Sequence, residues 1–374
     1  MANNVVTLIS QLFDYSMRYI CGASTSSRIG VIYAYPDNLT PDTIIYEVLL
    51  YLLYQMIREV LLGEVRDTLI KAGFYVSELY SIRPIGFDLV ARRDNSLLII
   101  KVLTNIDAMS EDVARELRTL STLLKGCPLI IGERSGTGSL VNDVVYDRFG
   151  IQSITSETLK NHLLEAMPLE VYAAPGGLYV NLDKDKIKQL RTEQNISLGS
   201  FARTLKVSRR TVQMYEDGMN ASVEVAIRIE DTLGGNVTDP IDILRPLAPK
   251  KEMKPLVSYN EGFRKFQRDV FSILEKVGYK VTPLERAPFE AVSQDRKKIL
   301  LTCVDEYDKK LLIKAQVVSS ISRITERHAV LITDKDVQKT SLEGTPIIVK
   351  RELKKIRGPE EILELVLERL YRDS

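Results

Sequence analysis

The stretch that decides the fold is Ser197-Leu-Gly-Ser-Phe-Ala-Arg-Thr-Leu-Lys-Val-Ser-Arg-Arg-Thr-Val-Gln-Met-Tyr-Glu-Asp-Gly218. Each half opens on a serine, Ser197 or Ser208, and serine is among the preferred residues at helix N-caps. Apolar residues follow each serine at three- and four-residue steps, which predicts two short amphipathic helices joined at Lys206-Val207. Gly218 is placed to end the second helix, because glycine readily adopts the left-handed conformation found there.

A small all-helical domain forms around this pair. Helices are predicted at Asp185–Thr192 and Val223–Leu233, before and after it. Ala202 is the small residue that allows close approach of the paired helices. The predicted core consists of Ile187, Leu190, Ile196, Phe201, Ala202, Leu205, Val207, Val212, Tyr215, Val225, Ile229 and Leu233.

The order Ala-x-x-Leu-x-Val-Ser-Arg-x-Thr-Val-x-x-Tyr-Glu-x-Gly between Phe201 and Gly218 resembles the lambda-repressor/Cro-like helix-turn-helix family. The resemblance implies that the helix after Ser208 enters the DNA major groove. This chain departs from the family at Leu198, where a glutamine is usual, and at Gly199-Ser200, where charged residues are usual. The first helix of the pair therefore begins with fewer polar groups for phosphate.

Charge is concentrated in this region. The whole chain has a net charge of +1, whereas Lys184 to Arg210 holds eight basic residues against Asp185 and Glu193. Such a local patch can release counterions from a DNA backbone. The alternative is a solvated basic face on a domain that binds protein.

The candidate DNA-binding residues follow from the docking geometry of such motifs. Arginine fits the O6/N7 edge of guanine, and glutamine fits adenine. Met214 could meet a thymine methyl group or belong to the core. The residues predicted to contact bases or phosphates on the recognition helix are Ser208, Arg209, Arg210, Thr211, Gln213 and Met214. Those predicted to anchor phosphates, with the amides of the helix starts, are Lys206, Arg203, Ser197 and Ser200.

Two other regions look like copies of one another. Leu69–Val76 matches Leu274–Val281, and Phe87-Asp-Leu-Val90 matches Phe289-Glu-Ala-Val292. The offset stays near 202–205 residues through the first half of each copy. The first copy reads as a mixed α/β domain in the order α-β-β-β-α-β-β-α. Its predicted elements are a helix ending before Gly73, strands Phe74–Leu79, Phe87–Arg92, Leu97–Leu103, Pro128–Gly132 and Ile151–Ile154, and helices Glu111–Leu124 and Ser156–Leu164, the last capped by Ser156.

The acidic positions of the first copy resemble the restriction-endonuclease-like fold, whose members hold Mg²⁺ between an aspartate and the acid of an acid-x-Lys motif. Asp88 and Lys101 match this pattern, and Glu64 is the candidate helix acid, but Ile99 stands where the second acid belongs. In the second copy Glu290 matches the aspartate, while Leu301 and Cys303 replace the acid and the lysine. The pattern predicts a degenerate fold with no metal and no catalytic residues.

The predicted fold class is therefore α/β plus all-α: two related, degenerate restriction-endonuclease-like domains flank a Cro-like helix-turn-helix bundle. We expect an N-terminal helical extension over residues 1–55 and the first α/β domain over 56–168. A β-hairpin at Val171–Val180 and the bundle occupy 169–238, with packing on the bundle favoured over a wing. A Pro/Lys-rich linker follows at 239–255, and the second α/β domain occupies 256–374.

Composition excludes several classes. The longest uncharged apolar run, Val48–Ile57, is about half of the roughly 20 residues that a membrane span needs. Three dispersed cysteines and two histidines show no metal-ligand spacing and no secreted disulfide framework. We expect a cytoplasmic, nucleoid-associated protein without a cofactor or a membrane partner.

The arrangement from Met56 onward resembles the archaeal HTH-type transcriptional regulatory protein family. The resemblance rests on Phe87–Arg93, Lys101–Asp107, Ala173–Gly177 and Val207–Val212. It implies a sequence-specific regulator of double-stranded DNA, expected as a homodimer, with no effector identifiable. Residues 1–55 are extra to this pattern, and Met56 is a plausible alternative start. Two alternatives stay open: a Mg²⁺-dependent nuclease or DNA-processing enzyme, and a chromosome-organising protein that binds DNA broadly.

Overall fold

The structure is a computed structural model that describes residues 41–78, 86–136, 138–247, 262–296, 298–307, 309–335, 337 and 339–372. Contacts divide the chain into two compact units, Met1–Gln55 and Met56–Ser374. Residues 1–40 of the predicted N-terminal helical extension, which include Cys21, lie outside the described residues. Among the helices described, none is long and apolar enough to cross a bilayer.

The first α/β domain is built as a sheet with helices on its faces. Its elements are α1 (Pro41–Lys71), β1 (Tyr75–Val76), β2 (Leu89–Arg93), β3 (Ser96–Asn105), a 3₁₀ turn (Ile106–Ala108), α2 (Glu111–Leu124), β4 (Cys127–Ser135), β5 (Gly138–Ser139), β6 (Val144–Arg148), β7 (Ile151–Ile154) and α3 (Ser156–Leu164). The strands lie in the order β1-β2-β3-β4-β7-β6, with β3, β4 and β7 parallel. The apolar runs of β3 and β4 are buried, as expected for parallel strands covered on both faces.

The second α/β domain repeats this plan. Its elements are α8 (Lys265–Val277), β11 (Lys280–Pro283), β12 (Ala291–Asp295), β13 (Lys298–Val304), α9 (Lys309–Thr325), β14 (His328–Thr333), β15 (Ser341–Leu342), β16 (Thr345–Val349), α10 (Lys350–Leu353) and α11 (Pro359–Arg372). The order β11-β12-β13-β14-β16-β15 matches that of the first sheet, and β13, β14 and β16 are parallel. The predicted duplication is confirmed.

The two copies pack against each other within the chain. One buried apolar cluster contains Phe87 and Val90 from the first copy together with Phe289 and Val292 from the second. These are matched pairs, each 202 residues apart, so equivalent surfaces of the two copies meet. Gly86 N–H donates to Arg286 O across this contact (2.6 Å). The arrangement is that of a dimer made inside one polypeptide.

The helical bundle lies between the copies in sequence and is continuous with the first sheet. Its elements are β8 (Val171–Ala174), β9 (Gly177–Val180), α4 (Lys184–Glu193), α5 (Leu198–Leu205), α6 (Arg209–Glu216), β10 (Ala221–Ser222) and α7 (Val223–Leu233). Strand β8 pairs with β6 of the α/β domain, and β9 pairs with β10, which leads into α7. The predicted hairpin therefore packs on the bundle and also joins it to the neighbouring sheet.

Several element predictions are wrong in detail. The cap of α3 is Thr155, whose Oγ1 accepts the Thr158 N–H (3.0 Å), and Ser156 is already helical. The strand predicted from Phe74 is reduced to β1, and β6 was missed because its residues do not alternate cleanly. At the start of the predicted linker, Ile243 is buried in the core of the first α/β domain.

Candidate nucleic-acid interface

Helices α5 and α6 are set by their caps. Ser197 Oγ accepts the Ser200 N–H (3.1 Å), and Ser208 Oγ accepts the Thr211 N–H (3.0 Å). Between the helices Lys206 adopts a left-handed conformation at φ +56°, so the chain turns sharply. Phe201, Ala202 and Leu205 are buried behind this turn, together with most of the predicted bundle core. The sequence thus dictates a tight helix–turn–helix.

Helix α6 has one buried and one exposed side. Val212 and Tyr215 point into the core. Arg209, Arg210 and Gln213 are exposed, so no described residue of the neighbouring α/β domains covers them. Met214 is 43% exposed and is therefore not a core residue. The side chains predicted to read bases lie together on the solvent side of one helix.

The hydroxyl groups at the start of α6 retain one proton for a ligand. Ser208 Oγ and Thr211 Oγ1 are 2.8 Å apart and share one hydrogen bond. Two hydroxyl protons are present, and the shared bond uses one of them. Ser208 is exposed and Thr211 half-buried. The pair can therefore donate one further hydrogen bond outward without losing the cap, which is suitable for a phosphate oxygen.

The start of α5 is less polar, as its sequence predicted. Leu198 is half-buried against the bundle core, and Gly199 is exposed. Ser197 is engaged in the cap. Arg203 Nε donates weakly to Gly199 O (3.4 Å), and the rest of its guanidinium is exposed, as is Lys206. The groups at this end that are open to a ligand are therefore Arg203, Lys206 and the first backbone amides of α5.

Arg191, which we counted with the basic patch, has a different role. Its Nε lies 2.5 Å from Glu216 Oε1, its Nη2 lies 3.1 Å from Oε2, and its Nη1 donates to Ile196 O (2.8 Å). The side chains are only 13% and 10% exposed. This two-pronged pair joins α4 to the last turn of α6. Sequence spacing could not reveal it, because 25 residues separate the partners.

Within the first α/β domain, Asp88 occupies the acid position of the nuclease pattern and is buried. Its Oδ2 accepts the Val102 N–H (2.7 Å), while Oδ1 lies 2.5 Å from Arg58 Nη2 and 3.3 Å from Lys101 Nζ. Glu64, the predicted helix acid, is exposed. That prediction is wrong: α1 presents the cation Arg58 to the site instead of a carboxylate.

The second copy reaches the same arrangement by another route. Glu290 Oε2 accepts the Val304 N–H (2.7 Å), which is the equivalent of the Asp88 bond. Its Oε1 pairs with Lys314 of α9, and Lys314 also lies 3.0 Å from Asp305 Oδ2. Burial is the largest influence on the pKa of Glu290 and raises it, with Lys314 opposing. A side-chain cation again stands beside the retained carboxylate.

The Mg²⁺ that active members of this fold hold does not fit these residues. Ile99 is fully buried at the position of the second acid, and Arg58 already neutralises Asp88. Among the described residues, no group of three or more His, Cys, Asp or Glu side chains could hold a metal ion. In each copy the retained carboxylate is thus held in an internal ion pair.

Comparisons with known proteins agree with this architecture. Residues 58–169 match a PD-(D/E)XK superfamily domain model, and residues 187–239 match a helix-turn-helix model. No solved structure matches the chain.

Archaeal relatives align with most of the chain. A protein of Methanosarcina acetivorans is 38% identical over a 328-residue alignment that covers 85% of this chain and 99% of the relative. Relatives in Natronomonas pharaonis and Halobacterium salinarum are each 37% identical, over 84% of this chain and 99% or 98% of their own lengths. All three carry the name "Putative HTH-type transcriptional regulatory protein". By its sequence and by its domains, this chain belongs to that family of archaeal HTH-type transcriptional regulatory proteins.

Proposed function

We propose that this protein is a sequence-specific regulator of transcription that binds double-stranded DNA with α6 in the major groove. The observation that carries the proposal is the exposed set Arg209, Arg210 and Gln213 on a helix whose other side is buried. A helix–turn–helix module presents the first residues of its second helix to base edges. These are the residues that the chain leaves free of the bundle core.

The chemistry of the exposed side chains fits this role. Arg209 and Arg210 can each donate two hydrogen bonds to guanine O6 and N7, and Gln213 can bond adenine N6 and N7. Met214 can meet a thymine methyl group. Arg203, Lys206, the Ser208–Thr211 hydroxyl pair and the amides near Ser197 and Ser200 would position the module on phosphates.

A homodimer is part of the proposal. One module reads only a few base pairs, so two half-sites about 34–36 Å apart are expected. The contact between the two α/β copies is already made within one chain, through the cluster around Phe87 and Phe289. A dimer formed from folded chains therefore uses another surface.

Catalysis is not part of the proposal. The Arg58–Asp88 and Lys314–Glu290 pairs occupy the positions where a nuclease needs metal ligands. We expect supercoiled, linear and single-stranded DNA to remain intact in the presence of Mg²⁺. Cleavage that Asp88→Ala abolishes would favour the nuclease alternative.

The test is a gel-shift series on the sequence that the purified protein enriches from a random duplex library. Arg209→Ala and Arg210→Ala should each weaken binding by about 1–3 kcal/mol per lost base contact. Arg66→Ala is the matched control, because Arg66 is an exposed arginine on α1 outside the module. Equal affinities for wild type and the α6 variants would refute the groove assignment.

Genome-wide occupancy separates this proposal from a chromosome-organising role. Discrete promoter peaks support a regulator, acting in the cytoplasm on the nucleoid. Coverage spread over the chromosome supports broad binding. The domain boundaries at 55/56, 168/169, 238/239 and 255/256 also belong to the proposal, although an expressed first α/β domain would have to keep Ile243, which is buried in its core.

A further inference from the structure

The second α/β domain carries a basic surface that the helix-turn-helix does not need. We call it the C-terminal basic patch: Lys265 and Arg268 on α8, and Lys350, Lys354 and Lys355 on and just after α10. Lys265, Lys354 and Lys355 are exposed. Residues 350–357 hold five basic side chains against one acid, Glu352, which is itself paired with Arg369 (2.8 Å).

Several contacts bring the two parts of the patch together. Lys350 Nζ lies 2.8 Å from Asp269 Oδ2 and 5.4 Å from the centre of the Phe266 ring, which places α10 beside α8. The pKa of Asp269 is lowered by the hydrogen bond from Lys350, and also by the charges of Lys265 and Lys354. One carboxylate thus sits among at least three cations.

The patch lies at the edge of the sheet where the parallel strands end. Strands β13, β14 and β16 are parallel and in register, so their carboxyl ends at Val304, Thr333 and Val349 are neighbours. The first turn of α8 reaches the same edge, where Arg264 Nη2 lies 2.5 Å from Asp305 Oδ1. Open α/β sheets bind ligands at this edge.

The first copy provides an internal comparison. Strands β7 and β16 hold equivalent places in the two sheets, where Ile154 pairs with Ile131 and Ile348 pairs with Ile332. When Ile154 is aligned with Ile348, Lys350–Arg357 corresponds to Ser156–Leu163, which contains one lysine and one glutamate. That lysine, Lys160, is paired with Glu157 (2.9 Å). Both copies fold with the same strand order. The fold therefore does not require the cations, and their accumulation in the second copy needs a separate explanation.

We propose that the C-terminal basic patch binds the phosphate backbone of duplex DNA as a second, sequence-independent contact of the regulator. Clustered lysines suit this role, because each is a flexible point charge that can neutralise a phosphate without a fixed geometry. The acidic side of α11 bounds the patch: Glu361 accepts a hydrogen bond from the Arg357 N–H (3.3 Å). The inference takes DNA as the partner from the proposed function, but it concerns a different surface.

The experiment measures affinity for a random-sequence 60-base-pair duplex against salt concentration. In Lys354→Gln plus Lys355→Gln, the slope of log K against log salt should become shallower by about 1.8, because each phosphate contact contributes about 0.9. If the affinities of the two proteins are equal at 1 M salt, the variant should bind roughly eightfold more weakly at 0.1 M salt for each phosphate contact that it lacks. Lys276→Gln plus Lys280→Gln is the matched control. Both lysines are exposed in the same domain, and Lys276 lies about 16 Å along α8 from Lys265.

The two proposals fail in different ways. With Arg209→Ala and Arg210→Ala as background, sequence preference should disappear while the effect of Lys354 and Lys355 on the random duplex persists. The slope of log K against log salt could be equal for the patch variant and its control in both backgrounds. That result would refute the proposed second DNA contact and would favour an acidic protein as the partner of the patch. Loss of the patch effect with sequence preference intact would leave the groove assignment standing.

Discussion

The pair between Arg191 and Glu216 should decide the stability of the helix-turn-helix. Both side chains are largely removed from water, at 13% and 10% exposure. Breaking a buried pair leaves an uncompensated charge and typically costs 3–5 kcal/mol. Since a little exposure remains here, we expect about 3 kcal/mol for Arg191→Met or Glu216→Leu alone.

The double variant provides the sharper result. Replacing both charges with apolar side chains of similar size removes the uncompensated charge and is often neutral or stabilising. Arg191→Met with Glu216→Leu should therefore cost no more than about 1 kcal/mol, leaving a coupling energy of several kcal/mol between the sites. The Ile196 carbonyl, which accepts from Arg191 Nη1, loses its partner and accounts for the residual cost.

Native-state hydrogen exchange is the suitable assay, because it reports local opening of the bundle separately from global unfolding. The protected amides of α4 and α6 should exchange faster in each single variant and return towards the wild-type rate in the double variant. Single variants that lose less than about 1 kcal/mol would show that the pair behaves as a surface ion pair. The burial argument would then be wrong.

Two further predictions concern the α/β domains. Glu116 Oε1 accepts the Arg286 N–H (2.6 Å) between the copies, and burial raises the pKa of Glu116. The folded state therefore binds the proton of Glu116 more tightly than the unfolded state does. The cost of ionising Glu116 to the stability of the fold is absent below pH 4.5 and grows as pH rises through the folded pKa. Glu116→Gln, which keeps the acceptor, should raise stability at pH 7 in urea unfolding, and a gain that persisted at pH 4 would contradict this reasoning. Thr155→Ala should lower the free energy of unfolding by about 1 kcal/mol through loss of the α3 cap, whereas Ser156→Ala should lower it less. A larger loss for Ser156→Ala than for Thr155→Ala would show that Ser156 is the cap.

Much of the fold could be predicted because local chemistry decides it. Helices α2 and α7 have the predicted bounds, and the apolar runs of β3 and β4 are the central strands. The serine caps located α5 and α6 to within a residue. The repeat in sequence also predicted that a second α/β domain shares the plan of the first. These features depend on neighbouring residues or on a pattern that occurs twice.

What the sequence did not predict depends on contacts between distant residues. Arg191 and Arg209 contribute equally to the local net charge in the sequence. Only the fold shows that Glu216 neutralises Arg191. Glu64 and Arg58 lie on one helix, and the rotation of that helix decides which one reaches Asp88. The α3 cap was misplaced by one residue because Thr155 and Ser156 are both good caps, and backbone geometry chooses between them.

The two degenerate sites show what the fold retains once the second acid of the metal-binding pattern is gone. In each copy the carboxylate still accepts the N–H of an equivalent valine, Val102 or Val304, at 2.7 Å. The cation beside it comes from α1 in one copy and from α9 in the other. The carboxylate has the same position in both copies, whereas the cation beside it differs. The hydrogen bond to the strand is therefore the shared feature, and cations from different helices balance the charge. Such a carboxylate ties the segment before β2 or β12 to the end of the neighbouring strand, so its continued presence is explained by folding and is not evidence of catalysis.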